Sequence, residues 1–141
     1  MRAVLSAVPR LAVLYARVAL AAAFLSSVAA RFGLWGDQSS WKNFADFTRY
    51  TAEVNSFMPA SSIPFLAWAA TAAELVLGLA LLAGIRLRWT ALGSALLLAV
   101  FGTAMAISFG IKSPLDYSVF SASAGALLLA LHETAVPGAS A

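Results

Sequence analysis

The sequence predicts an all-α integral membrane protein: a four-helix bundle with an amphipathic helix at the membrane interface between spans one and two. Three observations point there. The 141 residues are 62% hydrophobic and only 11% charged, with a mean hydropathy of +0.87. A water-soluble domain carries about a quarter charged residues, so this chain has too little polar surface to cover a globule. Its apolar residues gather in four segments, each approaching the roughly 20 residues a helix needs to cross a bilayer core about 30 Å thick. The apolar–polar alternation of a membrane barrel is absent, and lipid offers no partner for open backbone groups, which leaves helices. The chain reads as a single membrane domain over 1–141.

The first segment spans 11–33 and is interrupted by Arg17. Arg2, Arg10, the apolar stretch from Val18 to Leu25 and Ser27-Val28-Ala29 look like a cleavable signal peptide. Against that, the apolar run continues through Phe32 and Leu34, and Arg17 falls inside its hydrophobic part. The polar linker at 36–62 places Trp41, Phe44, Phe47, Val54 and Phe57 at near-helical spacing, with Lys42, Asp46, Arg49 and Glu53 around the rest of the turn. This is the pattern of an interfacial helix with aromatics at headgroup depth. Asp46 and Arg49, and Arg49 and Glu53, stand three and four residues apart and can pair along its exposed face.

The second segment, 63–84, begins around Pro59 and Pro64 and is interrupted only by Glu74. The third, 89–109, holds no charge between Trp89 and Phe109. The fourth, 114–132, opens on Pro114, a residue suited to a first helical turn, carries Asp116 near its start and ends at His132 and Glu133. Residues 134–141 read as a short frayed tail. Small residues recur every four positions at Gly102, Ala106 and Gly110, at Ser121 and Gly125, and at Ala122, Ala126 and Ala130, so spans three and four are expected to approach closely. The hydroxyls of Ser26, Ser27, Thr71, Thr103 and Ser108 are expected to bond their own helix backbones.

Charge orients the bundle and excludes several functions. Arg2 and Arg10 precede span one, and Arg86 and Arg88 fill the short connection after span two, a density that places this end, and both termini, in the cytoplasm. The net charge of +3 comes from nine basic residues spread singly. That argues against nucleic acid, which needs a clustered stripe, and makes the lipid bilayer the natural partner. With no cysteine, disulfides, dithiol exchange and thiolate metal sites are out of reach. His132 is the only histidine and has no second ligand for metal or haem. No phosphate loop, G-x-S-x-G elbow or dinucleotide fingerprint is present. No catalytic residue and no metal site is assigned.

Glu74 is the sharpest polar feature, because a carboxylate at mid-bilayer costs roughly 3 kcal/mol even on the lenient insertion scale. Counted from the cytoplasmic ends of their spans, Arg17 and Glu74 differ in depth by only about 5 Å, so Arg17 is the expected partner. The two then serve either as an anchor for a polar headgroup or as an internal pair that fixes helix register. Arg31, at the far end of span one, is placed to snorkel to the headgroups. With Trp35, Trp41 and Lys112 it could also line an outward-facing pocket. Asp116 and Tyr117 start span four at the same interface and could cap that helix, pair with Arg31 or Lys112, or bind a ligand.

Taken together, the internal Arg17, the terminal Arg31 followed by Phe32-Gly33-Leu34, the aromatic linker and the stretch from Ala73-Glu74 through Gly78 and Gly84 to Arg86 and Arg88 resemble the DoxX family, within a wider DoxX/DoxD/MauE-like group of small four-helix membrane proteins. The resemblance covers roughly Leu11 to Leu131 and implies a bacterial-type inner-membrane protein associated with redox systems. It implies an accessory or quinone-interacting subunit, with redox-complex subunits or a second copy of the chain as partners and a quinone as the cofactor it would meet; the sequence by itself requires none. The chain departs from the thiol-linked branch in lacking cysteine. It also ends its first span in arginine where the family commonly has lysine, which keeps the charge and changes the geometry. A structural or assembly protein without a redox ligand, and a small lipophile transporter, are the alternatives.

Overall fold

The computed structural model describes residues 2–135, with side chains from Val8 to Glu133. Among the described residues six α-helices follow one another: α1 (Arg2–Arg31), α2 (Phe44–Val54), α3 (Ile63–Ala83), α4 (Leu87–Phe109), α5 (Lys112–Asp116) and α6 (Val119–Ala135). No strand occurs among them. Three stretches, Val8–Arg31, Ala60–Ala83 and Leu87–Phe109, are long and apolar enough to cross a membrane, and most of each faces outward. These helices turn much of their aliphatic surface away from the core: Leu11, Leu14, Val18, Leu75, Val76, Leu79, Leu96 and Val100 are all exposed. In water so large an apolar surface would be a liability, whereas in lipid it is the solvated face.

The fourth apolar segment departs from expectation. It does not form one helix over 114–132 but breaks at Tyr117 and Ser118, where Ser118 adopts a φ of 55°. The short α5 lies before the break, and the apolar helix after it, Val119–Glu133, is shorter than the three candidate spans. Glycine and proline spacing gives no sign of this, because the left-handed residue is a serine. Of the frayed tail expected over 134–141, residues 136–141 lie outside the described residues, and α6 continues to Ala135.

Packing runs in two pairs, α1 with α3 and α4 with α6, joined through α3 and α4. Their shared core is Leu20, Ala21 and Phe24 of α1, Leu81 of α3, Ala91 and Ala95 of α4, and Ala126, Leu129 and Ala130 of α6. Alanines dominate the α4–α6 seam, as the small-residue spacing predicts, and the Ser123 hydroxyl crosses it to the carbonyl of Ala95 at 2.7 Å. At Gly102 the approach is close: a Cβ there would fall 2.7 Å from the ring edge of Phe120. Gly102→Leu should therefore destabilise the bundle by about 1–3 kcal/mol through overpacking, and shortening Phe120 to alanine in the same chain should recover part of the loss. Thermal melting in detergent reads both, and a double variant no better than Gly102→Leu alone would show that the two side chains do not compete for one space.

Aromatic side chains mark the two ends of the bundle. Tyr15 and Trp89 are exposed at one end, with Arg86 and Arg88 beside Trp89; Trp35, Phe65, Trp68, Phe109 and Tyr117 are exposed at the other. Along α4, Trp89 and Phe109 stand about 30 Å apart at 1.5 Å per residue, the thickness of a hydrocarbon core. Helix α2 packs one face against the bundle. Asn43 caps it by accepting from the Asp46 amide, while Asp46 accepts from the Lys42 amide, and Arg49 reaches Asp46 at 3.0 Å. Its other face is turned inward: Phe47, Thr51 and Val54 are buried, with Val54 against Ala104 and Met105 of α4.

Candidate functional site

Helices α1 and α3 run antiparallel, and their contacts set the depth of every charge between them. Gly78 lets α1 come close, since a Cβ there would lie 2.9 Å from Leu25. One end of this pair is fixed by Arg17, whose Nε donates to the Leu81 carbonyl at 3.0 Å and whose Nη2 donates to that of Leu82 at 2.9 Å. Those carbonyls end α3, where Gly84 turns the chain at a φ of 71° and Ile85 bonds back to Ala80. A cation over the last carbonyls of a helix is favourable both as a cap and against the helix dipole.

Arg17 is therefore not the partner of Glu74, as its depth in the apolar run leads one to expect. Helix α1 begins at Arg2 and overshoots α3, so counting inward from Leu11 places Arg17 too deep; it stands at the level where α3 ends. From that level Arg31 lies about 21 Å along α1, still short of the opposite face of a core about 30 Å thick. Arg31 does not snorkel outward either. Side chains on a helix lean toward its N-terminus, and the Arg31 guanidinium leans back over Ser27, one turn earlier, and into the bundle.

There it meets Glu74. The Arg31 Nη2 donates to Glu74 Oε1 at 2.5 Å and to Ser27 Oγ at 3.2 Å, and Nη1 donates to Thr71 Oγ1 at 2.9 Å. The Thr71 hydroxyl gives its own proton to the Ala67 carbonyl at 2.8 Å. Phe47 of α2 lies over the guanidinium, 3.9 Å from ring centroid to Cζ, a cation–π contact in a desolvated setting. Arg31 and Glu74 are each 2% exposed. Two polar atoms of this cluster nevertheless have no hydrogen-bond partner: Arg31 Nε and Glu74 Oε2. Buried polar groups are almost always paired, so an unpaired donor and an unpaired acceptor within one ion pair single it out.

The remaining candidates divide into local roles. Trp41 packs on Phe47 and Tyr50, at 5.0 and 5.3 Å between centroids, and so joins the layer that covers Arg31. Phe44 of the same layer stacks on Trp68 at 4.2 Å. Trp35 donates from its indole to the Ser26 carbonyl at 3.1 Å. Lys112 and Asp116 pair with each other at 2.5 Å on the exposed face of α5, and Tyr117 is exposed beside them. Arg31 thus turns inward and is not at the mouth of an outer pocket, while Asp116 takes one of the roles the sequence leaves open to it and pairs with Lys112 across one helical turn. Tyr50, on the non-spanning α2, has its phenol pushed above the usual range by burial, with Tyr117 and Glu53 adding to the shift; it stays neutral at physiological pH.

Two apolar grooves open on the sides of the bundle. One, of about 460 Å³, lies between the exit of α2, α3 and α4 and is lined by Asn55, Phe57, Met58, Leu66, Val100 and Ile107 among others. The other, of about 250 Å³, lies between α1 and α6 along Ala16, Leu20, Ala23 and Gly125. Neither is lined by Arg31 or Glu74. Among the described residues, no group of three histidines, aspartates or glutamates stands close enough to hold a metal ion.

Compared with known proteins, residues 9–118 match the family model described as methylamine utilisation protein MauE, and the chain belongs to that family. The matched stretch contains Arg17, Ser27, Arg31, Phe47, Thr71, Glu74 and Gly84. It places the chain on the MauE side of the resemblance read from the sequence. No curated protein and no solved structure matches the chain.

Proposed function

We propose that this MauE-family membrane protein is an accessory, non-catalytic subunit of a membrane redox system of the methylamine-utilisation kind, and that its Arg31–Glu74 pair engages the polar head of a quinone-like lipophile. One observation carries the second part: an ion pair sealed among apolar helices keeps a donor and an acceptor unpaired. Charged groups at membrane depth are costly and tend to be kept for a task. A chain without cysteine exchanges no dithiols of its own, so a role in redox chemistry is to hold, orient or supply protons to a molecule that carries the electrons. The end bearing Arg10, Arg86 and Arg88 faces the cytoplasm in this reading, in a bacterial-type inner membrane, as the basic bias favours.

The test is gentle purification from the native membrane, with mass spectrometry of the co-purifying polypeptides and of the extracted lipophiles in the same sample. Redox-protein partners together with a stoichiometric quinone, the quinone lost from Glu74→Gln, is the expected result. Phospholipid alone, without a redox partner, overturns the proposal and favours a second reading with its own support. In that reading the pair is an assembly device, because Arg31 ties α1 to α3 through Glu74 and Thr71 together, and the protein's work is done by its outer surface.

A further inference from the structure

We infer that the Arg31–Glu74 site selects a head bearing a hydroxyl group, the hydroquinone form of a quinone-like lipophile, over the carbonyl form; this rests on the reading that the pair engages such a head at all. The choice follows from which atoms are already spoken for. Nη1 of Arg31 is given to Thr71, and Nη2 is shared between Ser27 and Glu74 Oε1. Thr71 has no proton left to offer, having donated to Ala67. What remains is the N–H of Arg31 Nε, whose nitrogen has no partner at all, a second N–H on Nη1, and one carboxylate oxygen, Glu74 Oε2.

A guanidinium only donates and an ionised carboxylate only accepts. A quinone carbonyl, itself only an acceptor, can answer Nε but leaves Oε2 unpaired and sets two electron-rich oxygens near one another in a desolvated site. A phenolic hydroxyl does both, accepting from Nε and donating to Oε2, so one group answers both unpaired atoms. Charge-assisted hydrogen bonds of this kind are the strong ones, and sites built around a hydroxyl reject analogues that lack it. Phe47 of α2 covers the guanidinium and neither groove reaches the pair, so engaging a head there requires this ring to move aside.

The experiment uses the full chain in lipid nanodiscs and three probes with one short alkyl tail: a benzoquinone, its hydroquinone kept reduced without oxygen, and the dimethyl ether of that hydroquinone. Equilibrium dialysis against empty nanodiscs corrects for partition into lipid. The hydroquinone should bind about ten- to a hundredfold more tightly than the quinone, the range one hydrogen bond to a charged group supplies. The ether, which has no proton to donate, should bind no better than the quinone. Glu74→Gln, which loses the carboxylate acceptor and its ion pair with Arg31, should bind both redox forms weakly and without preference. Equal binding of the two redox forms by the unaltered protein, or tighter binding of the quinone or the ether, overturns the inference while leaving the proposed engagement standing. No binding of any probe above empty nanodiscs overturns the engagement itself. The comparison on the unaltered protein decides the matter even where Glu74→Gln fails to accumulate.

Discussion

Arg31→Met should be among the most damaging single substitutions in this chain. It leaves the Glu74 carboxylate without a cation in the bundle interior, where removing one partner of a buried pair costs about 3–5 kcal/mol. It also frees Thr71 Oγ1 and Ser27 Oγ from their donor and removes the cation beneath the Phe47 ring. Glu74→Met should be as harmful, since it strands the guanidinium. The double variant Arg31→Met with Glu74→Met is expected to recover most of that loss, because neither charge then remains and the hydroxyls can bond their own helices, as Thr71 already does. Melting of the four proteins in one detergent measures the cycle. A double variant that is as unstable as the worse single variant would show that the cost lies in packing and not in the unpaired charge. If the double variant accumulates normally yet no longer retains a lipophile, fold and ligand engagement are separated, which single variants cannot do.

The fold class is legible because it rests on composition and on runs of apolar residues: the runs at 63–84 and 89–109 fall on α3 and α4, while α1 begins at Arg2, well before the run that starts at 11. Depth is not legible. Hydropathy registers where an apolar run begins, not where the membrane does, and a first helix of 30 residues is longer than the core it crosses. That is why the sequence draws Arg17 to Glu74 and Arg31 to the headgroups, when the structure shifts both toward the same end of the bundle. A finer signal is present. Ser27 and Arg31 stand four apart on α1, Thr71 and Glu74 three apart on α3, so each helix carries a short polar stripe on one face, and two such stripes in an otherwise apolar bundle belong together. Reading the hydroxyls as bonded only to their own backbones hides this. Phe47 does belong to the apolar face of an amphipathic helix, but periodicity cannot distinguish a face turned to lipid from one turned to a buried guanidinium.

Gly84 tests the corrected role of Arg17, and its replacement by valine should cost about 2–4 kcal/mol from two sources. The first is conformational: at a φ of 71° an L-residue is strained, a β-branched one most of all. The second is steric, because a Cβ at this position would lie 2.7 Å from Arg17 Nη2 and would lift the guanidinium from the Leu81 and Leu82 carbonyls it caps. The two can be measured apart. Asparagine tolerates the left-handed region but still carries a Cβ, so Gly84→Asn reports mainly the displacement of Arg17. Gly84→Ala in an Arg17→Met background has no guanidinium to displace and reports the backbone strain alone. If Arg17 sits over this turn, Gly84→Asn will destabilise the protein with Arg17 present and do so far less in the Arg17→Met background. An Asn variant that melts with the unaltered protein would remove Arg17 from the end of α3 and reopen its pairing within the bundle. The expected coupling instead makes Arg17 and Gly84 one device that closes α3, and leaves Arg31 as the cation that Glu74 answers.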